Sequence, residues 1–127
     1  MAFTIIAHRG HQGRAPELTL DAFQAAVDEG FCHIELDVQL SADGICVVLH
    51  DEQLGRTIAG TGRVAEHTWS QLKEMDAGSW WSPDSSAWSH CRVPSLEAVL
   101  HALRGKAHLH LVMPAPCTPR HARLYPS

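Results

Sequence analysis

Apolar residues occur along the chain in two kinds of pattern. Short continuous runs are followed by stripes with helical spacing. Residues 3–7 (Phe-Thr-Ile-Ile-Ala) form a short run with β-branched side chains, which is typical of a buried parallel strand. After a polar connection, Thr19 is in position to cap a helix that ends just before Gly30. One face of this helix carries Leu20, Phe23 and Val27. The pattern predicts strand, loop and helix in that order.

Residues 33–40 alternate between apolar and polar side chains, as expected for a second strand. Its apolar face consists of Ile34, Leu36, Val38 and Leu40. Because successive side chains of a strand point to opposite faces, Glu35 and Asp37 both lie on the other face. The second strand therefore carries two carboxylates on one side.

A sharp reversal follows the second strand. The Asp43-Gly44 pair predicts a tight turn, and so short a connection permits only an antiparallel return over residues 45–50. A turn centred on this pair brings His50 back beside Asp37. The sequence thus predicts a carboxylate pair and an imidazole at one place.

The remaining pattern predicts an insert, a helix and a third strand. Residues 51–93 are rich in Gly, Ser, Thr and Trp, with one short helix predicted from Thr68. Ser95 can cap a further helix that ends at Gly105, and residues 108–113 form a third parallel strand. The apolar stripe of that helix is Leu96, Val99, Leu100 and Leu103. This order of elements is typical of an α/β fold with a parallel sheet.

Length and charge limit the possible functions. The chain has 127 residues, enough for a single domain with one core, and a net charge of -4. Nucleic acids and anionic membranes both require a basic face, so we expect neither as a partner and favour a small soluble ligand. No apolar run approaches the length of a membrane span and no secretion signal is evident, so the expected location is cytoplasmic. The oligomeric state is not predicted.

The composition changes near residue 102. All fourteen acidic residues precede this point, and four of the seven prolines lie in residues 114–127. No helical or strand periodicity survives there. We therefore predict a domain over residues 1–113, with the insert at about 51–93, followed by an irregular proline-rich tail over residues 114–127.

Candidate chemistry lies at the ends of the first two strands. His8-Arg9-Gly10 follows the first strand, where α/β folds present functional side chains. Arg9 offers a planar fork suited to phosphate, and His8 belongs to the residue type that titrates near neutral pH. Glu35 and Asp37 are hard oxygen ligands that suit Mg²⁺ or Ca²⁺. The alternative is a half-exposed strand whose carboxylates simply face solvent.

The other eight histidines show no convincing metal-binding spacing, and we assign them no role. They are His11, His33, His67, His90, His101, His108, His110 and His121. The four cysteines likewise show no C-x-x-C spacing and are expected to be reduced thiols.

Over roughly its first 105 residues the sequence resembles the glycerophosphodiester phosphodiesterase family. The matching motifs are His8-Arg9-Gly10, Ala15-Pro16-Glu17, Glu35-Leu36-Asp37-Val38, Asp43-Gly44, Val47-Val48-Leu49-His50-Asp51, Arg56-Thr57, Gly60-Thr61-Gly62, Asp76-Ala77-Gly78-Ser79-Trp80 and Val93-Pro94-Ser95-Leu96-Glu97. The resemblance implies a TIM (β/α)8 barrel that hydrolyses glycerophosphodiesters to glycerol 3-phosphate and an alcohol with a divalent cation. It also implies that His8 and His50 are the catalytic acid/base pair, that Glu35 and Asp37 bind the metal, and that Arg9 contacts the substrate phosphate.

Two positions depart from the family pattern. Leu18 stands where the family has asparagine after the Pro-Glu pair. In the third strand, Val112 falls where the family has a glutamate that completes the metal site. Losing this third carboxylate should weaken cation binding, because site charge sets the affinity for hard cations.

The length also departs from the family, since a complete barrel needs about 250 residues and eight strands. Only three barrel strands are predicted here, so the expected fold is an incomplete barrel with a β-hairpin and an insert. We hypothesise a truncated or frame-shifted gene product with doubtful activity. The alternatives are a catalytically inactive fragment and, less well supported because the histidines are scattered, a metal-storage or metal-sensing protein.

Overall fold

A four-stranded mixed sheet organises the protein in a computed structural model that describes residues 4–113. Its parallel strands are β1 (Ile6–His8), β2 (His33–Leu40) and β4 (His108–Val112), and both β1 and β4 pair with β2. The antiparallel strand β3 (Cys46–Val48) pairs with the end of β2. The three predicted parallel strands are confirmed, whereas Phe3 and the predicted tail over 114–127 lie outside the described residues.

Two helices cover one face of the sheet and begin at the predicted caps. Helix α1 (Leu20–Asp28) begins where the Thr19 hydroxyl accepts a hydrogen bond from the Ala22 amide. Helix α3 (Leu96–Leu103) begins in the same way, with Ser95 accepting from the Ala98 amide. Leu20, on the face predicted to carry Phe23 and Val27, is 42% exposed, and Ala22 and Ala26 pack inward with Phe23. Small residues let this helix lie close to the sheet.

The apolar side chains form two separate cores. The first lies between the sheet and helices α1 and α3, and it includes Phe23, Ile34, Leu36, Val48 and Val99. The second lies beneath the insert and includes Val47, Leu49, Ile58, Val64, Leu72 and Val93. The insert has little regular structure, a 3₁₀ turn at Val64–Glu66 and helix α2 (Trp69–Leu72), so this second core holds it in place.

The hairpin between β2 and β3 has the predicted register. Val38 pairs with Val48, and beyond the strand the Leu49 amide donates to the Asp37 carbonyl at 3.0 Å. The side-chain amide of Gln39 donates to the His50 carbonyl at 2.8 Å. These bonds continue the ladder and confirm that the chain returns His50 alongside the carboxylate-bearing end of β2.

Candidate active site

The chain turns sharply at the end of β1, and this turn presents Arg9. Arg9 lies in the left-handed region at φ 58°, as does Gly10 at φ 81°. A Cβ atom at Gly10 would lie 2.9 Å from the backbone of Ala22, so only glycine fits there. The Arg9 amide donates to the Glu35 carbonyl at 3.0 Å and ties the turn to β2. A non-glycine residue held in this conformation is common at functional sites.

His8 and Glu35 are register partners in the parallel pair of β1 and β2. The His8 Nε2 atom lies 3.2 Å from the Glu35 carboxylate. Both side chains are accessible, so this pair forms the open side of the candidate site. The Gln12 side-chain amide donates to the His8 carbonyl at 2.9 Å and closes the turn behind the imidazole.

Asp37 lies deeper than Glu35 and is only 7% exposed. Its Oδ2 atom lies 3.6 Å from the Nε atom of Arg9, and neither buried atom has a hydrogen-bond partner among the described residues. Burial raises the pKa of the Asp37 carboxyl, against the opposing charges of His50 and Arg9. A buried carboxylate oxygen that accepts no hydrogen bond is costly even beside a guanidinium group, and a bound cation would satisfy it.

A network of carboxylates and guanidinium groups joins the first loop to the hairpin. Glu17 accepts two hydrogen bonds of 3.0 Å from Arg56 and one of 3.2 Å from Arg9. Arg56 also donates two bonds, of 2.8 and 3.0 Å, to Asp51. Asp51 in turn lies 2.7 Å from the Nδ1 atom of His50. Glu17 therefore holds Arg9 directly and positions His50 indirectly, through Arg56 and Asp51.

Glu17, Asp51 and Arg56 lie within the motifs shared with the family, but the sequence alone indicated no role for them. The residue types could have suggested ion pairs, since an arginine guanidinium group binds a carboxylate through two hydrogen bonds. The contact itself could not be predicted, because Glu17 and Arg56 are 39 residues apart and the fold of the insert brings them together. The structure also places His50 and Asp37 close enough for the imidazole to influence the carboxyl pKa.

Replacing Glu17 with glutamine is expected to destabilise the fold by about 2 to 4 kcal/mol, because two guanidinium groups would lose their shared partner. The free energy of unfolding in urea measures this effect. Glu29→Gln is the matched control, since Glu29 forms an ion pair with Arg14 near the surface and its loss should cost less than about 1 kcal/mol. Equal losses in both variants would show that the buried network contributes nothing special.

The Asp51 carboxyl should titrate far below an ordinary aspartate. Hydrogen bonds from Arg56, assisted by His50, lower its pKa from 3.8 to about 2 despite partial burial. The ion pair therefore contributes stability that is fully present above pH 3.8 and is lost as the pH falls through 2. Carbon-13 NMR titration of Asp51 should show the low midpoint, and Arg56→Met should move it upward. An unchanged midpoint in that variant would contradict the assigned cause.

Strand β4 supplies no carboxylate at the expected position. Val112 is in register with Asp37 and His110 with Glu35, so both lie on the site-facing side of the sheet. The register thus places Val112 directly beside Asp37, on the side of the sheet that also carries Glu35. His110 does not take over the role, because its Nε2 atom lies 2.9 Å from Nδ1 of His33 instead.

The other departure from the family pattern has a conformational consequence. Leu18 adopts a left-handed conformation at φ 57°, with its amide donating to the Arg9 carbonyl at 3.0 Å. Asparagine tolerates this region better than leucine, for which it costs about 1 to 2 kcal/mol. The leucine is nevertheless buried in the first core, which offsets part of this strain.

Comparison with known proteins identifies the relatives of this site. The family profile described as "Glycerophosphoryl diester phosphodiesterase family" matches residues 8–117. The chain belongs to this family. It is 37% identical over 118 residues to the glycerophosphodiester phosphodiesterase of Bacillus subtilis, a match that covers 89% of this chain and 40% of the relative. The chain thus spans less than half the length of that family member.

Solved structures of the family share the fold. A glycerophosphodiester phosphodiesterase from Agrobacterium tumefaciens superposes with a TM-score of 0.82 at 40% identity, covering 88% of this chain and 47% of that one. A phosphodiesterase from Oleispira antarctica, solved with its product sn-glycerol-3-phosphate, gives 0.81 at 35% identity, covering 88% and 44%. The described residues therefore form an incomplete TIM barrel, as the sequence predicted.

The family is generally dependent on a divalent cation. None of the helices in residues 4–113 could span a lipid bilayer.

Proposed function

We propose that this chain hydrolyses glycerophosphodiesters to glycerol 3-phosphate and an alcohol, with a divalent cation. The observation that carries the proposal is the facing pair of Arg9 Nε and Asp37 Oδ2, two buried polar atoms 3.6 Å apart that lack hydrogen-bond partners. A phosphate oxygen suits the first atom and a cation suits the second. The product bound in the Oleispira antarctica relative supports the same class of ligand.

Glu35 and Asp37 would hold the cation, and their hard oxygen atoms fit Mg²⁺ or Ca²⁺. A cation bound there supplies positive charge that stabilises the phosphoryl oxygens as the ester is cleaved. Because Val112 is in register with Asp37, only two carboxylates would bind the cation here, where the family pattern has three. The proposed site therefore binds its cation weakly.

Arg9 would bind the phosphate through its guanidinium group, whose position Glu17 fixes. His50 is assigned as the base, because Asp51 holds its Nδ1 atom and leaves Nε2 free to accept a proton. That proton comes from the attacking oxygen, either of water or of the glycerol hydroxyl next to the phosphate, whose cyclic product water then opens. His8, across the site beside Glu35, then donates a proton to the leaving alkoxide oxygen. Each proton transfer of this kind typically accelerates a reaction by about 10² to 10⁴-fold.

Release of glycerol 3-phosphate from glycerophosphocholine, followed by an enzyme-coupled assay, tests the proposal. Hydrolysis should appear with millimolar Mg²⁺ or Ca²⁺ and disappear when the cation is chelated. If no cation at any concentration supports hydrolysis, the chain is instead a catalytically inactive member of the family.

A further inference from the structure

A second cluster of metal-binding side chains lies where the insert meets helix α1. Asp21 belongs to the first turn of α1, while His90 and Cys91 lie in the segment that leads to α3. The Asp21 Oδ2 atom lies 3.0 Å from His90 Nε2, and its Oδ1 atom lies 3.6 Å from the Cys91 sulfur. The cluster shares no residue with the proposed phosphodiester site.

One ligand atom from each of the three side chains lies within 4.8 Å of the other two, which is near the spacing of a tetrahedral zinc site. Zinc bonds of about 2.0 to 2.3 Å place neighbouring ligand atoms about 3.3 to 3.6 Å apart. The carboxylate lies 3.0 Å from the imidazole nitrogen and 3.6 Å from the sulfur, and the sulfur lies 3.7 Å from that nitrogen. Small side-chain adjustments would therefore bring all three onto one ion.

The backbone around the cluster is already fixed. The Thr19 cap holds the first turn that carries Asp21. The Cys91 amide donates to the Trp88 carbonyl at 3.1 Å, and the Cys91 carbonyl accepts from Ala77 at 2.9 Å. Cys91 is 3% exposed, whereas His90 is open to solvent. An ion can reach the cluster from the solvent side without moving the backbone.

The ligand set selects the class of cation. Sulfur and imidazole are soft and borderline ligands that favour zinc and similar transition metals, whereas Mg²⁺ and Ca²⁺ prefer oxygen alone. A cavity of about 380 Å³ adjoins the three side chains and is also lined by Trp69 and Lys73. It leaves room for water or a small anion at a fourth coordination position.

We propose that Asp21, His90 and Cys91 form a zinc-binding site that joins helix α1 to the insert. The ligands come from segments about 70 residues apart in sequence. A bound ion would therefore link helix α1 to the insert and stabilise the fold.

Zinc binding must displace the thiol proton. Burial and the neighbouring Asp21 raise the pKa of Cys91 to about 12, while Arg92 opposes this. The ion must therefore release one proton from sulfur as it binds. Lys73 and Arg92, the other charged side chains lining the cavity, favour an anionic ligand at the fourth position.

Titration of the full chain with Zn²⁺ and with Co²⁺ tests the site. We expect Zn²⁺ to raise the thermal unfolding midpoint and Co²⁺ to give a thiolate-to-cobalt charge-transfer absorption. Cys91→Ser should abolish that absorption, and His90→Gln should lower Zn²⁺ affinity at least tenfold. The matched controls are Cys32→Ser and His101→Ala, which alter exposed residues outside the cluster.

The absorption identifies the sulfur ligand directly. Its persistence in Cys91→Ser, or equal losses of affinity in the control variants, would overturn the proposal. If Cys91→Ser does not fold, Asp21→Asn provides the same test at a partly exposed side chain. Unchanged Zn²⁺ affinity in that variant would also overturn the site. Because no phosphodiester is present, failure here is distinguishable from failure of the proposed hydrolysis.

Discussion

Replacing His50 with alanine is expected to lower kcat/KM for glycerophosphocholine by about 10² to 10⁴-fold, since the proposed base is lost. His8→Ala should cause a loss of similar size by removing the acid. Combining the two should cost much less than the product of the single effects, because the two groups act in one reaction. Steady-state rates at saturating Mg²⁺ provide the measurement.

Asp51→Asn separates positioning from chemistry in the same assay. The amide keeps the shape of Asp51 but no longer stabilises the His50 ring with Nδ1 protonated. Its effect should therefore fall on kcat rather than KM. His101→Ala, at an exposed position on α3, is the control and should retain the native rate. Activity that survives both His8→Ala and His50→Ala would eliminate the proposed mechanism.

The substitution Val112→Glu should strengthen the site and raise its cation affinity by about tenfold or more. Val112 is in register with Asp37 and is 48% exposed, so a longer side chain fits on the site-facing side. A third carboxylate adds negative charge at a site whose affinity depends on the number of charged ligands. The Mg²⁺ or Ca²⁺ concentration that gives half-maximal hydrolysis measures the change.

Val112→Gln is the matched control because it has nearly the same size and no charge. We expect this variant to bind the cation no better than the native protein. Equal half-saturating concentrations for Val112→Glu and Val112→Gln would show that this position does not complete the cation site. Calorimetric titration with Ca²⁺ reports the same difference independently of turnover.

Local sequence patterns predicted most of the secondary structure and the hairpin register. The alternation around Glu35 and Asp37 predicted both bounds of β2, and the Asp43-Gly44 turn predicted the register that returns His50. The hydroxyl caps and terminal glycines placed α1 and α3 to within a residue. These signals are local because each depends on backbone geometry within a few residues.

Contacts between distant segments could not be predicted in the same way. The bonds from Arg56 to Glu17 and from His90 to Asp21 span 39 and 69 residues, and both depend on how the irregular insert folds back. Helical spacing put Leu20 on the same face as Phe23 and Val27, yet it is exposed in the structure. The burial of Ala22 and Ala26 instead depends on how closely α1 approaches the sheet, which periodicity does not specify.

Binding of glycerol 3-phosphate with Mg²⁺, followed residue by residue by NMR, tests the central claim most directly. We predict that the Arg9 Nε–H resonance and the ring resonances of His8 and His50 shift together along one saturation curve. Glu35→Gln should move that curve to higher Mg²⁺ concentration. Shifts confined to other surfaces, with these three side chains unaffected at saturation, would contradict a shared phosphate site.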